Sequence, residues 1–343
     1  MRSLPIANPA NPWASTRVSY DDAETPSQTL EIYEDASRSL LSKNDSPDVP
    51  FTWSANPYRG CMHACAYCYA RPSHEYLSFG AGSDFDRKIV IKRDAPSLLR
   101  EAFQKRSWKG EVVVFSGVTD CYQPLEATYH LTRQCLEVCL EYKNPAHVIT
   151  KSPLIERDLE LLVELGRKAS VGVSISVPLL DEANARALEP FVTTPARRIK
   201  IIERLAQAGV AVGVNVAPVI PGLSDEDIPR VLEAAAGAGA TRAHYAMLRL
   251  PGSVKAVFEE RLRSTIPARA EKVLARLREA HGGKLYDASF GSRGRGAGPY
   301  ADMIARLFET TAARLGLSAE SSGAAEARGA STFERPTPQL RLF

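Results

Sequence analysis

The sequence has no long apolar run. No stretch approaches the roughly 18 uninterrupted apolar residues of a membrane span, and the opening MRSLPIANPANPWAST holds no apolar core of the secretory kind. No membrane partner is expected, and the cytoplasm is the expected compartment. Nor does one sign of charge dominate: 43 Lys and Arg stand against 40 Asp and Glu, a net +3. So small an excess does not by itself indicate nucleic acid, and any basic surface must be local. Cysteine is sparse, at 6 in 343 residues. In a reducing compartment these read as metal ligands, reactive groups or packing, not as a disulfide framework. Only one C-x2-C occurs, so the paired motifs usual in zinc ribbons are missing.

What is present suits a globular protein: 44% hydrophobic and 24% charged residues, in a length that allows one large domain or two ordinary ones. Residues 1–50 are rich in Pro, Asn, Asp and Ser. They hold one short apolar segment, residues 30–33, and a possible short helix at 37–41, and are expected to form an extended arm lying on the domain. From 51 to 317, short β-branched runs alternate with amphipathic stretches. Strands are expected at 51–54, 112–115, 146–150, 171–177, 210–216 and 242–247, with helices at 95–106, 129–142, 154–168, 195–208 and 225–238. This alternation predicts an α/β fold with a parallel sheet and right-handed crossovers. Six units are fewer than eight, so a partial, open TIM-like (β/α)6 barrel is expected. Further helices are expected near 253–264, 268–280 and 300–315, with a Gly-rich segment at 291–298. Residues 318–343 are expected to be a disordered tail, because SAESSGAAEARGAS is small and polar.

The chemistry centres on NPYRGCMHACAYCYAR, in which Cys61, Cys65 and Cys68 are spaced C-x3-C-x2-C directly after the first strand of the core. Iron–sulfur clusters are held by thiolates, usually four. Here three lie together and no distant cysteine is an obvious fourth. Three ligands on a cubane leave one iron open to chelate a second molecule. Zinc on the three cysteines plus His63 or His74 is the competing reading. Structural burial of the triad fits poorly beside Gly60, His63 and Arg71, which suit an exposed site. Cys135 and Cys139 lie i, i+4 on an apolar helical stripe and read as core.

The triad, with an aromatic residue just before its third cysteine, resembles the radical SAM superfamily. The resemblance spans residues 50–315 and implies a 4Fe–4S cluster, S-adenosylmethionine bound at the open iron, and reductive cleavage to a 5′-deoxyadenosyl radical. The segments NPYRGC-x3-C-x2-CYARP, TDCYQPLE, TKSP, APVIPGL and FGSRGRGAGPY resemble the spore photoproduct lyase-like (DNA repair photolyase-related) branch, in an uncharacterised bacterial subgroup. That implies Ser116, Lys151, Ser174 or Ser176, and Ala217 as S-adenosylmethionine contacts, all at or near strand ends, with Tyr67 beside adenine. It implies Tyr69 as a candidate relay of a hydrogen atom. The branch's donor cysteine aligns with Gly117 here, so Cys121, just after Asp120, is the candidate hydrogen-atom donor. Arg293 and Arg295 in the Gly-rich segment are either a phosphate clamp or part of a flexible closing loop.

The last residues, Gln339-Leu340-Arg341-Leu342-Phe343, resemble the peptide by which bacterial repair proteins bind the DNA sliding clamp. Gln339, Leu340, Leu342 and Phe343 would be the partner contacts. The expectation is a radical SAM enzyme acting on DNA as a lesion-repair lyase, with a flavodoxin- or ferredoxin-type electron donor. The alternatives are a radical SAM enzyme modifying RNA or a peptide, and a non-catalytic metal-bearing adaptor on the clamp.

Overall fold

Short β-branched runs followed by amphipathic stretches fold as strands backed by helices. In the computed structural model, residues 8–9, 29–318 and 331–336 are described. Their strands are β1 (Glu31–Glu34), β2 (Leu41–Lys43), β3 (Trp53–Ala55), β4 (Tyr58–Arg59), β5 (Lys88–Ile91), β6 (Val113–Phe115), β7 (Ala146–Thr150), β8 (Val171–Ser176), β9 (Ala211–Val219) and β10 (Arg242–Met247). One sheet has the order β10-β9-β8-β7-β6-β3-β2. Its pairs from β3 to β10 are all parallel, and β2 pairs antiparallel at the edge. The six parallel strands are the six that the sequence predicts. Among the described residues β3 and β10 are not paired, so the sheet is open on that side, as six units instead of eight imply.

The helices are α1 (Ser83–Arg87), α2 (Ala95–Gln104), α3 (Glu126–Tyr129), α4 (Leu131–Glu141), α5 (Leu159–Lys168), α6 (Glu182–Leu188), α7 (Pro195–Gln207), α8 (Ile228–Gly237), α9 (Val254–Thr265), α10 (Pro267–Ala280) and α11 (Pro299–Arg314). Helix α7 shows why such segments start where they do. The Thr194 hydroxyl accepts the Arg197 N–H, and Pro195 occupies the first turn, where its missing donor costs nothing. Ile201, Ile202 and Leu205 form its buried stripe, in one core with Val212 and Val214 of β9. Each such side chain contributes about 1.5–3 kcal/mol by burial. Cys135 and Cys139 of α4 are fully buried free thiols in that core.

Two expectations are corrected. Residues 37–41 are not helical: Leu40 is buried, the Ser39 carbonyl accepts from Lys92, and β2 begins at Leu41. With Ser37 bonded back to Asp35, no helical ladder forms. The arm does lie on the domain, through β1 paired with β5 in a second sheet ordered β1-β5-β4. Second, the expected disordered tail is in part ordered. Phe333 stacks on Tyr142 and meets Phe103 edge-on. Arg335 donates to the carbonyls of Phe103, Lys105 and Trp108, in the last turn of α2 and the segment just beyond it. Glu334 pairs with Lys143 across 2.5 Å. The one aromatic residue in an otherwise small, polar stretch supplies the apolar contact that orders it. Gln339, Leu340, Leu342 and Phe343 lie outside the described residues.

Candidate functional site

The three cysteines lie in the segment from β4 to α1, and buried polar side chains fix that segment. Arg71 is completely buried and donates to the carbonyls of Cys65, Ala81 and Gly82 while pairing with Asp86. Gly60 has φ +77°, and a Cβ there would lie 2.8 Å from the His74 ring and 2.9 Å from the Phe85 carbonyl, so only glycine fits. The TDCYQPLE segment braces the same loop. Thr119 donates to the Gly60 carbonyl, and Gln123 both donates to that carbonyl and accepts from Met62 N–H. Ala66 N–H bonds to Leu188 at the end of α6. Arg71 and His63, expected to be exposed, are instead buried supports.

Cys61, Cys65 and Cys68 are free thiols that line a cavity of about 380 Å³ at the C-terminal ends of the parallel strands. Tyr67, Tyr69, Ser116, Lys151, Ser174, Ser176 and Ala217 line it too, so the structure brings these sequence-predicted residues to one place. Their roles differ in kind. Ser116 turns its hydroxyl away, donating to the Ile149 carbonyl at 2.6 Å, and so offers backbone at φ +122°. Ser174 is hydrogen-bonded to His147 at 3.1 Å. Ala217 precedes Pro218 in a cis peptide at the end of β9.

Lys151 follows the last residue of β7, and its backbone N–H is held by Asp120. Its ammonium stands 3.9 Å from the Glu189 carboxylate and 5.7 Å from the centre of the Tyr67 ring. Glu189 is fully buried and accepts from both the Tyr67 hydroxyl and the Arg198 guanidinium. Burial opposes its charge, but Arg198 and Lys151 outweigh that and hold the carboxyl below its ordinary range. A second buried pair joins His63 to Asp120 at 3.4 Å. Burial opposes both charges; the neighbouring charges of Cys61 and Asp120 nevertheless hold the imidazole up to about 10, and His63, Thr150 and Lys151 hold Asp120 down to about 2.

Two sequence-predicted residues are placed elsewhere. Cys121 is completely buried in the main core, its thiol 3.8 Å from the Phe115 carbonyl, and it does not line the cavity. Asp120 faces the site, so the next side chain turns into the packing beneath β6. A thiol there meets no substrate, and the hydrogen-donor reading of Cys121 is withdrawn. Arg293 is not available as a phosphate clamp, because it bonds Asp48 and Ser46. Arg295 is exposed. The zinc reading loses His74, whose Nε2 is bonded to the Lys88 carbonyl outside the cavity. Glu189, Arg198, Asp48 and Arg249 were missed, since no spacing in the sequence links them to the triad.

Residues 55–235 match the family model described as Radical SAM superfamily. The chain belongs to the radical SAM superfamily. An uncharacterized protein of Mycobacterium tuberculosis is 36% identical over 232 residues, covering 67% of this chain and 68% of that one. An uncharacterized protein of Methanocaldococcus jannaschii is 29% identical over 170 residues, covering 50% of this chain and 61% of that one. Among solved structures, a spore photoproduct lyase mutant with bound AdoMet and dinucleoside spore photoproduct has a TM-score of 0.60 at 16% identity, covering 85% of this chain and 81% of that one. Another spore photoproduct lyase mutant gives a TM-score of 0.61, covering 84% of this chain and 81% of that one. These structures share the fold.

Membership makes the 4Fe–4S cluster and S-adenosylmethionine the cofactors of this radical SAM enzyme. The donor set fits: three free thiols on one braced loop face a cavity that also receives a lysine ammonium. Cys61, Cys65 and Cys68 would hold the cluster. No helix of the described residues is long and apolar enough to cross a membrane.

Proposed function

We propose that this radical SAM enzyme acts on DNA, as a lyase-like repair enzyme working on a base turned out of the helix. The observation that carries the reading is the placement of Tyr69. It directly follows the last cluster cysteine, lines the cavity, and is half exposed at its mouth. Chemistry on a stacked base is blocked, so a base must enter such a mouth unpaired. The fold likeness to spore photoproduct lyase holding a dinucleoside photoproduct supports the same substrate class.

When bound, the cluster and S-adenosylmethionine supply a 5′-deoxyadenosyl radical that abstracts hydrogen. The chain positions and protects. Lys151 would take the S-adenosylmethionine carboxylate, and Glu189, held by Arg198, fixes Tyr67, whose ring would flank the adenine. Backbone at Ser116 and Ala217, with the hydroxyls of Ser174 and Ser176, completes the contacts. Tyr69 replaces Cys121 as the group that gives a hydrogen atom to the substrate radical, and its phenoxyl radical is restored to the phenol by one electron from the donor protein and one proton. A flavodoxin- or ferredoxin-type protein supplies the electron. Gln339, Leu340, Leu342 and Phe343 dock on the DNA sliding clamp, which a pull-down with and without residues 339–343 tests.

The main test uses anaerobically reconstituted enzyme, reductant, S-adenosylmethionine and ultraviolet-damaged DNA deuterated in the thymine methyl groups. The expected result is deuterium in 5′-deoxyadenosine, dependent on the DNA. Cleavage without transfer from DNA, but with transfer from RNA or a peptide, would replace the substrate class.

A further inference from the structure

At the cavity one cation faces an aromatic ring instead of a carboxylate. Arg249, two residues after β10, lines the cavity, and its Nε is buried without a hydrogen bond. Among the described residues it forms no ion pair. Its guanidinium sits 5.4 Å from the centre of the half-exposed Tyr69 ring. Its charge also acts on Asp48, the carboxylate that binds Gly291 and Arg293. Just beyond, Phe290 is 63% exposed, with the Arg293 guanidinium 4.5 Å from its ring centre. Contacts thus lead from Tyr69, Arg249 and Asp48, which line the cavity, through Arg293 to Phe290 outside it. Arg293 is paired with Asp48, whereas Arg249 is in no ion pair among the described residues.

We propose that Arg249 and Phe290 form a receptor for one unpaired nucleotide at the mouth: Arg249 takes a phosphodiester oxygen, and the exposed face of Phe290 stacks a base. The inference rests on the nucleic-acid reading above and names the residues that would select a single-stranded or extruded nucleotide. Two features favour this occupant. The Arg249 side chain is partly exposed and lines the cavity, and a phosphate oxygen is a strong charge-assisted acceptor for a guanidinium. An exposed ring beside cations is the arrangement that binds bases without reading sequence. A bulky duplex would reach the rim but offers no free base face to Phe290.

The test is fluorescence anisotropy on the reconstituted holoenzyme with labelled single-stranded DNA of about 12 nucleotides, within the size such sites take. A matched strand with abasic sites and a matched duplex serve as probes. Phe290→Ala is expected to weaken the single strand about tenfold and the abasic strand hardly at all, as loss of one stacked base does. Arg249→Ala is expected to weaken both strands alike and lower the salt slope by about one. Unchanged cluster absorbance shows that each variant is folded. Equal losses of Phe290→Ala on normal and abasic strands, or affinities unmoved by both variants, overturn the receptor and leave the nucleic-acid reading standing. No binding of any DNA by the wild type overturns both.

Discussion

Asp48 and Arg293 form an ion pair although 245 residues separate them in sequence. Asp48 precedes β3, the first parallel strand, and the Gly294 carbonyl accepts the N–H of Met247, the end of the last one. The pair therefore ties the N-terminal arm to the Gly-rich loop across the open side of the sheet. The Gly291 N–H and Arg293 outweigh the slight burial of Asp48 and hold its carboxyl below the ordinary range. Asp48→Ala is expected to raise hydrogen exchange in residues 287–296 at least several-fold, since the loop loses the two bonds that Asp48 makes to Gly291 and Arg293. Unchanged protection there would show that the loop is held by its other contacts.

Lys151→Ala is expected to weaken S-adenosylmethionine binding roughly tenfold or more, as loss of a hydrogen bond between charged groups does. Iron content should stay the same, because Lys151 is not a cluster ligand. The change in cluster absorbance on titration with S-adenosylmethionine measures both. Affinity equal to wild type would remove Lys151 from the cofactor site.

Cys121→Ala is expected to retain turnover with unchanged products, because the thiol is in the core and not at the cavity. Its cost should be one of packing, on the order of 1 kcal/mol, read as a small fall in melting temperature. Tyr69→Phe is expected to alter the products, because it removes the hydroxyl alone. Altered products from Cys121→Ala would restore the cysteine as donor.

Asp158 is wholly buried as a side chain and is bonded by Arg157, Arg133 and Tyr122. Burial works against its charge, but those bonds hold its carboxyl below the ordinary value. Such a group stabilises the fold above about pH 4, the unfolded value for aspartate. The contribution is lost as pH falls through the lower folded value. Melting temperature should therefore drop as pH falls below about 4, and Asp158→Asn should flatten that drop. Parallel curves for both proteins would rule Asp158 out as the cause.

The parallel strands and the cysteine triad were legible because both are local. Periodicity sets a strand, and three thiols seven residues apart end to end need no distant information. The segments recognised beside the triad also converge on it: Asp120 and Gln123 brace the loop, and Lys151 lies above β7. What was not legible depends on contacts between distant segments. Nothing near Glu189 announces its buried link to Tyr67, 122 residues earlier. Arg293 read as a free clamp because Asp48, which neutralises it, lies at the other end of the chain. Phe333 stood in a polar tail, and its aromatic partners Phe103 and Tyr142 belong to helices far upstream.

Phe333→Ala with Arg335→Ala is expected to release residues 331–336, seen as faster limited proteolysis after Arg335's neighbours and little change in melting temperature. Unaltered cleavage would mean that the backbone contacts of Thr332 and Glu334 suffice.

The same anchor has a directional consequence. Residues 331–336 bond to Gly110 and Lys143, just ahead of β6 and β7, whereas Ser116 and Lys151 lie just past those strands. The 5 residues of β7, at roughly 3.3 Å each, put about 16 Å of barrel between the two ends. The protein is thus polar in the geometric sense. Residues 331–336 are therefore fastened at the pole facing away from the chemistry, and they leave the entrance unobstructed.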